Sequence, residues 1–172
     1  MIIIACGLST SGKTSLIQNA KLEEFGISVV KGSSILATSG RPVVDLTVTE
    51  AISNQQIIAE KLSRLAQTES RIVLDGHLLI ETTDGPQLVP DVVLKRLPIC
   101  GVVLIEADPR LISERRREGK LTTNIEEISD LAQIELTQAK RFARLQGIPF
   151  SKYMASEVAE FTSWIRLVTK LA

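Results

Sequence analysis

Gly7-Leu8-Ser9-Thr10-Ser11-Gly12-Lys13-Thr14 is the stretch on which the reading of this chain turns. It matches the glycine-rich phosphate-binding pattern G-x-x-x-x-G-K-[ST] at every fixed position. The pattern is informative only between a strand and a helix. Ahead of it, Met1-Ile2-Ile3-Ile4-Ala5-Cys6 is short, apolar and β-branched, as a buried strand is. Behind it, Lys13 to Glu24 carries Leu16, Ile17 and Ala20 on one helical face, with Gly26 just past the end. Strand, glycine loop and helix therefore stand in the required order.

The residue types dictate the chemistry. Gly7 and Gly12 let the backbone turn sharply and come close to a ligand. The N–H groups of the loop then converge on an anion. Gly7, Ser9, Thr10, Ser11, Gly12, Lys13, Thr14 and Ser15 make up the expected nucleotide-binding set. The Lys13 ammonium reaches the β- and γ-phosphates of a nucleotide, and the Thr14 hydroxyl holds Mg²⁺.

The chain has 172 residues, enough for one domain with a substantial core, expected to span 1–172. Its 20 basic and 20 acidic residues cancel, which argues against a nucleic-acid or acidic-membrane partner. The apolar N-terminal run is too short for a membrane span and lacks basic flanks, so a cytoplasmic location is expected. Cys6 and Cys100 fall in expected strands. If those strands are parallel neighbours, about five residues of stagger at ~3.3 Å each separates the cysteines. That is too far for a disulfide, so two free thiols are expected.

Strands and helices alternate along the rest of the chain. Ile27–Lys31 reads as a second strand, ended by Gly32-Ser33-Ser34, with a helical turn over Ile35-Leu36-Ala37. Thr47-Val48-Thr49-Glu50 is a capping box opening a helix with an apolar stripe. Arg71–Asp75 is a third strand ending in a carboxylate. Leu78–Pro90, with one Gly and two Pro, reads as irregular, and Asp91–Leu97 as a short helix. Ile99–Ile105 is an apolar run, hence a fully buried strand. Asp108-Pro109 starts a helix that ends in the basic turn Arg115-Arg116-Arg117-Glu118-Gly119-Lys120. Thr123 or Asn124 caps the next helix, with Glu126 or Glu127 placed to complete a box. An edge strand over Ile148–Tyr153 and a helix from about Ser156 to Leu171 close the chain. This alternation implies an α/β fold, a parallel sheet with helices on both faces. Ligands of such sheets bind at the carboxyl ends of the strands.

Four stretches carry a resemblance: Gly7–Thr14, Val73-Leu74-Asp75-Gly76-His77, Leu104–Pro109 and Lys120–Ile128. On them the chain resembles P-loop nucleoside monophosphate kinases, in particular archaeal-type adenylate kinases and the adenylate kinase-like ribosome assembly factors. The resemblance implies a three-layer P-loop NTPase fold with a five-stranded sheet in the order 2-3-1-4-5. It also implies phosphoryl transfer from ATP, with Mg²⁺, to a nucleotide acceptor.

Phosphoryl transfer asks for positioning and positive charge rather than covalent help. The expected catalytic set is Lys13, Asp75, Arg115 and Arg116, the arginines on a short lid around 115–123 with Arg117 and Lys120. Thr14 and Asp75 are the expected Mg²⁺ site, Asp75 through water; Asp75 alternatively orients the acceptor. Arg41 is placed to hold an acceptor phosphate, His77 to contact the acceptor or water, and Gln87 to read an acceptor base. Two other functions stay open: a small-metabolite kinase, and an ATPase switch or assembly factor.

Overall fold

The computed structural model describes residues 1–116 and 121–171. β1 (Ile2–Cys6) is the middle strand of a five-stranded sheet. β3 (Ile72–Asp75) and β6 (Ile99–Glu106) flank it, and β2 (Ser28–Lys31) and β7 (Phe150–Met154) form the edges. All four pairings are parallel. The order is β2-β3-β1-β6-β7. Two further strands, β4 (Leu79–Thr82) and β5 (Gly85–Leu88), pair antiparallel in a separate hairpin. Leaving them out, the sheet runs second, third, first, fourth, fifth.

Every residue of β1 is buried, because helices cover both faces of the sheet. Ile2, Ile4 and Cys6 point to one side, against α2 (Gly32–Thr38), α3 (Val48–Thr68), α4 (Asp91–Leu94) and α6 (Ile125–Gln146). Ile3 and Ala5 point to the other, against α1 (Lys13–Asn19) and α7 (Val158–Leu171). Each of these buried isoleucines contributes about 1.5–3 kcal/mol. A third cluster, Leu8, Leu79, Ile112, Ile128 and Leu131, packs α5 (Pro109–Arg116) and the hairpin beside the glycine loop. The helix starts follow their sequence signals. Thr47 and Glu50 make both bonds of the capping box. Asp108 accepts from the Arg110 N–H and Asn124 from those of Glu126 and Glu127. Glu127 does not close a box on Asn124; its carboxylate accepts from the Thr122 hydroxyl.

Three expectations need correction. The first helix stops at Asn19; Lys21 takes a left-handed conformation and Leu22–Phe25 forms a 3-10 turn. β2 ends before Gly32 as expected, but the helical turn expected over Ile35-Leu36-Ala37 is longer, α2 beginning at Gly32 directly after the strand. The segment 78–90 is not irregular. Thr83-Asp84 make a tight turn, Gly85 takes the positive φ of +112° that an Asp-Gly pair supplies, and Pro86 sits opposite Glu81 in a two-stranded ribbon. The prolines masked the ribbon because a sheet interior excludes them, whereas a hairpin edge does not.

Cys6 lies opposite Leu104, four residues beyond Cys100 along β6, which is ~13 Å of strand. Both cysteines are free, and burial pushes both thiols up in pKa, so they stay protonated. Among the described residues no helix is long and apolar enough to cross a membrane.

Candidate active site

The glycine loop joins β1 to α1 at the carboxyl edge of the sheet. Gly7 has φ +141°, and a Cβ there would lie 2.4 Å from the Ile105 carbonyl oxygen. Gly12 has φ +95°, and a Cβ there would meet the Ala155 Cβ at 2.8 Å. Both positions are closed to any side chain. Thr10 takes a left-handed φ of 68° without being glycine. That conformation costs on the order of 1–3 kcal/mol and persists only where neighbours enforce it. Here the Arg115 guanidinium donates to the Thr10 carbonyl at 2.9 Å. The α1 ladder opens with the Leu16 N–H on the Gly12 oxygen. The amides of Lys13, Thr14 and Ser15 are then the helix's unpaired N-terminal donors. Ser11 is buried, its N–H bonded to the Leu8 carbonyl and its hydroxyl without a partner.

Lys13, Thr14 and Asp75 form one cluster. The Lys13 ammonium is 3.0 Å from one Asp75 oxygen, and the Thr14 hydroxyl donates to the other at 2.7 Å. Lys13 and Asp75 are each about 6% exposed. The donor set, two hard oxygens beside an anion-binding loop, fits Mg²⁺ held jointly with phosphate. Lysine resting on the aspartate keeps both charges paired until phosphate arrives.

Two hollows meet at this cluster. One, of about 420 Å³, lies along the loop under Arg115 and Ala155 and is also lined by Gly12 and Ser15. The other, of about 350 Å³, runs from Ser9, Asp75 and His77 inward between the sheet and α3. Thr10, Lys13 and Thr14 line both.

The arginines separate. Arg115 is exposed and lies over the loop. Arg116 is 2% exposed and belongs to another structure. Its guanidinium grips Glu81 of β4 with two bonds, at 2.7 and 3.0 Å, and reaches the Ser9 and Thr122 carbonyls at 3.3 Å. It braces the hairpin and the loop through its two terminal nitrogens, while its Nε has no partner. Arg117 and Lys120 lie outside the described residues.

On the acceptor side, His77 joins the cluster and the other two expected residues do not. The His77 Nδ1 is 2.8 Å from the Gly7 carbonyl. A carbonyl only accepts, so Nδ1 carries the hydrogen and Nε2 its lone pair. Crowding by protein, then the Lys13 charge, pushes the His77 pKa down, less so than for an enclosed ring because His77 is exposed where it lines the cavity. Arg41 follows α2 rather than β2; its Nε donates to Asn54 of α3 at 2.9 Å, and it is not among the residues lining the cavity. The Gln87 amide donates to the adjoining Leu88 carbonyl on the hairpin, also away from the cavity lining.

Glu135 went unread in the sequence. From α6 its Oε1 accepts the Gly7 N–H at 3.1 Å and the Leu78 N–H at 3.0 Å, which ties the loop to the segment after β3. The residue is 1% exposed, and its Oε2 has no partner. Burial pushes its carboxyl up to about 7, against the opposing pull of the two N–H bonds. Between about 4.5 and about 7 the folded chain holds a proton that the unfolded chain has released, so stability falls as pH rises through that window. Glu135→Gln keeps an acceptor for both N–H groups and cannot ionise. Relative to the parent, its stability in urea melts should rise by about 1–3 kcal/mol between about pH 5 and about pH 8. A difference independent of pH would show that Glu135 is ionised throughout.

The sugar kinase of Janibacter sp. HTCC2649 superposes on this chain with a TM-score of 0.63 at 14% identity, covering 99% of this chain and 97% of that one. A gluconokinase from Sinorhizobium meliloti 1021 gives 0.57 at 17%, covering 98% and 91%. The YorR protein of Bacillus subtilis, solved with phosphorylated GDP, gives 0.58 at 19%, covering 99% and 96%. Likeness at such identities shows the fold alone, that of the P-loop kinases. No curated protein matches the sequence. The family model for the AAA domain (AAA_17) matches residues 6–135, three quarters of the chain, from the end of β1 to the glutamate that holds Gly7. Phosphate loop, β3 carboxylate and loop-bracing residues all fall inside that match, and the chain belongs to the AAA domain family.

Proposed function

We propose that this protein transfers the γ-phosphoryl group of a Mg²⁺-bound nucleoside triphosphate to a hydroxyl of a small molecule. One observation carries the reading: two hollows, one along the loop and one beside Asp75 and His77, share Thr10, Lys13 and Thr14 as a common wall. In-line transfer needs donor and acceptor on opposite sides of one phosphorus. We place the triphosphate in the hollow under Arg115 and the acceptor in the cavity beside His77.

Each residue then has a task. The Lys13 ammonium leaves Asp75 and neutralises charge on the β- and γ-phosphates. The amides of the loop hold the phosphate oxygens, and Arg115 closes over them. Thr14 and Asp75 would hold Mg²⁺, which would supply charge neutralisation on the terminal phosphates. The His77 Nε2 lone pair accepts from the acceptor hydroxyl and aims its oxygen at phosphorus; its Nδ1–H bond to Gly7 fixes the ring. We assign His77 a positioning role on that geometry.

A nucleoside monophosphate acceptor, the substrate of the relatives the sequence resembles, would bring a dianion into the cavity. Arg41, expected to meet it, is engaged by Asn54, and Lys31 and Lys13 are the cationic residues of the lining. We therefore rank small hydroxyl compounds ahead of monophosphates. That two of the similar structures are a sugar kinase and a gluconokinase agrees with this choice. The test is calorimetric titration with Mg-ATP, followed by ADP release with and without a panel of hydroxyl compounds and monophosphates. Saturable Mg-ATP binding and acceptor-stimulated release are expected. Release unaffected by any acceptor would replace the kinase reading with that of an ATPase switch. Arg41→Ala should leave acceptor KM within about twofold and cost ~1 kcal/mol of stability, from the lost Asn54 bond.

A further inference from the structure

The acceptor cavity is polar at the glycine loop, at Asp75 and His77, and at Lys31, Ser33 and Gln55. The rest of its wall is hydrocarbon: Leu74 of the sheet, Ile58 and Ala59 of α3, then Val93 and Leu97. Asp75 is the partner of Ala5, whereas Leu97 lies at the level of Ile2, where the Ile2 N–H meets the neighbouring Pro98 carbonyl. The cavity therefore runs along three residues of strand, ~10 Å. Its entrance is apolar too. Val43 and Val44 line it from the loop after α2 while standing 45% and 63% exposed. Large apolar side chains left open to water at a binding mouth signal an apolar ligand. Among the described residues no arginine lines the cavity. Lys13 is engaged by Asp75, and Lys31 sits exposed at the rim, at the end of β2. An anionic group carried inward would be buried without a cation.

Resting on the phosphotransfer reading above, we infer that the acceptor is an alcohol with a hydrocarbon body, alkyl, prenyl or aryl, and no anionic group. The body fills the cavity between the sheet and α3, and the hydroxyl stands at the mouth beside His77 and Lys13. In the reaction the alcohol oxygen bonds to the γ-phosphorus. The bond from that phosphorus to the β–γ bridging oxygen breaks, its electron pair leaving with the nucleoside diphosphate. The alcohol proton goes to solvent, and the product is a phosphate monoester.

The experiment incubates the intact protein and Mg-ATP with 1-octanol, 3-methylbut-2-en-1-ol or benzyl alcohol, beside AMP and gluconate, and detects the ester by mass spectrometry. Mg-ATP binding is measured separately by calorimetry. Esters of the hydrocarbon alcohols, with none or far less from AMP and gluconate, are the expected result. Ala59→Phe fills the cavity from α3, and Val44→Asp puts a charge at its exposed mouth, where folding is not at stake. Ala59→Phe should raise KM for 1-octanol at least about tenfold more than KM for 1-butanol, which does not reach the inner wall, and Val44→Asp should raise KM for both. Binding of Mg-ATP with no ester from any hydrocarbon alcohol, or with AMP or gluconate as the better acceptor, overturns the inference and leaves the nucleotide site standing. Equal effects of Ala59→Phe on the two alcohols, or no effect of Val44→Asp on either, also overturn it. Absence of Mg-ATP binding brings down the phosphotransfer reading itself.

Discussion

Lys13→Ala should lower turnover by about 10²–10³-fold while the sheet stays folded. Among the described residues Lys13 is the only ammonium shared by the walls of both hollows, so it faces the charge that develops as phosphorus passes between them. Removing one such donor from a preorganised site costs about 2.7–4 kcal/mol of barrier. The fold survives because Asp75 keeps the Thr14 hydroxyl and its own place at the end of β3. Circular dichroism checks the fold and steady-state ADP release checks turnover. A folded variant with parental turnover would remove Lys13 from the reaction.

The second large effect is structural. Arg116→Ala should destabilise the protein by about 3–5 kcal/mol, because it strands the Glu81 carboxylate in a site 18% exposed. Glu81→Ala should do at least as much, since the guanidinium left behind is 1% exposed with its Nε already unpartnered. For a chain of this size that is a fall in melting temperature of about 6–20 °C. The paired change Arg116→Met with Glu81→Leu removes both charges together and should recover most of the loss. Calorimetry on the three variants reads this directly. Additive losses in the double variant would mean that the pair is not coupled, and that Arg116 is held by the Ser9 and Thr122 carbonyls instead.

How far these features were legible depends on the range of the interactions behind them. The phosphate loop, the buried β1 run and the caps at Thr47, Asp108 and Asn124 are local: each is specified within a few residues, and each formed where its pattern stands. The partners of the charged groups are not local. Arg116 meets Glu81 across 35 positions, and Glu135 meets Gly7 across 128. The basic residues at the end of α5 read as a lid over the phosphates, yet Arg115 and Arg116 project apart: Arg115 lies over Thr10, and Arg116 turns to Glu81. One signal for Glu135 was present. Ile128, Leu131, Ala139 and Phe142 mark the buried stripe of α6, and Glu135 falls on that stripe between them. A carboxylate at a core position of a helix needs hydrogen bonds, and here the loop supplies them. Asn54 repeats the case on α3, among Ala51, Ile58 and Leu62, where it accounts for Arg41. Polar residues on otherwise apolar stripes were therefore the readable trace of the contacts that local pattern cannot supply.

The central claim is that the Lys13–Thr14 junction passes a phosphoryl group from a donor to an acceptor hydroxyl rather than to water. The most direct measurement follows the label of γ-³²P ATP through the protein with Mg²⁺ and the alcohol panel, beside Lys13→Ala. The label should appear in an acid-stable organic ester with the parent protein, and in neither ester nor inorganic phosphate with the variant. Label found only as inorganic phosphate, with every acceptor present, would contradict it.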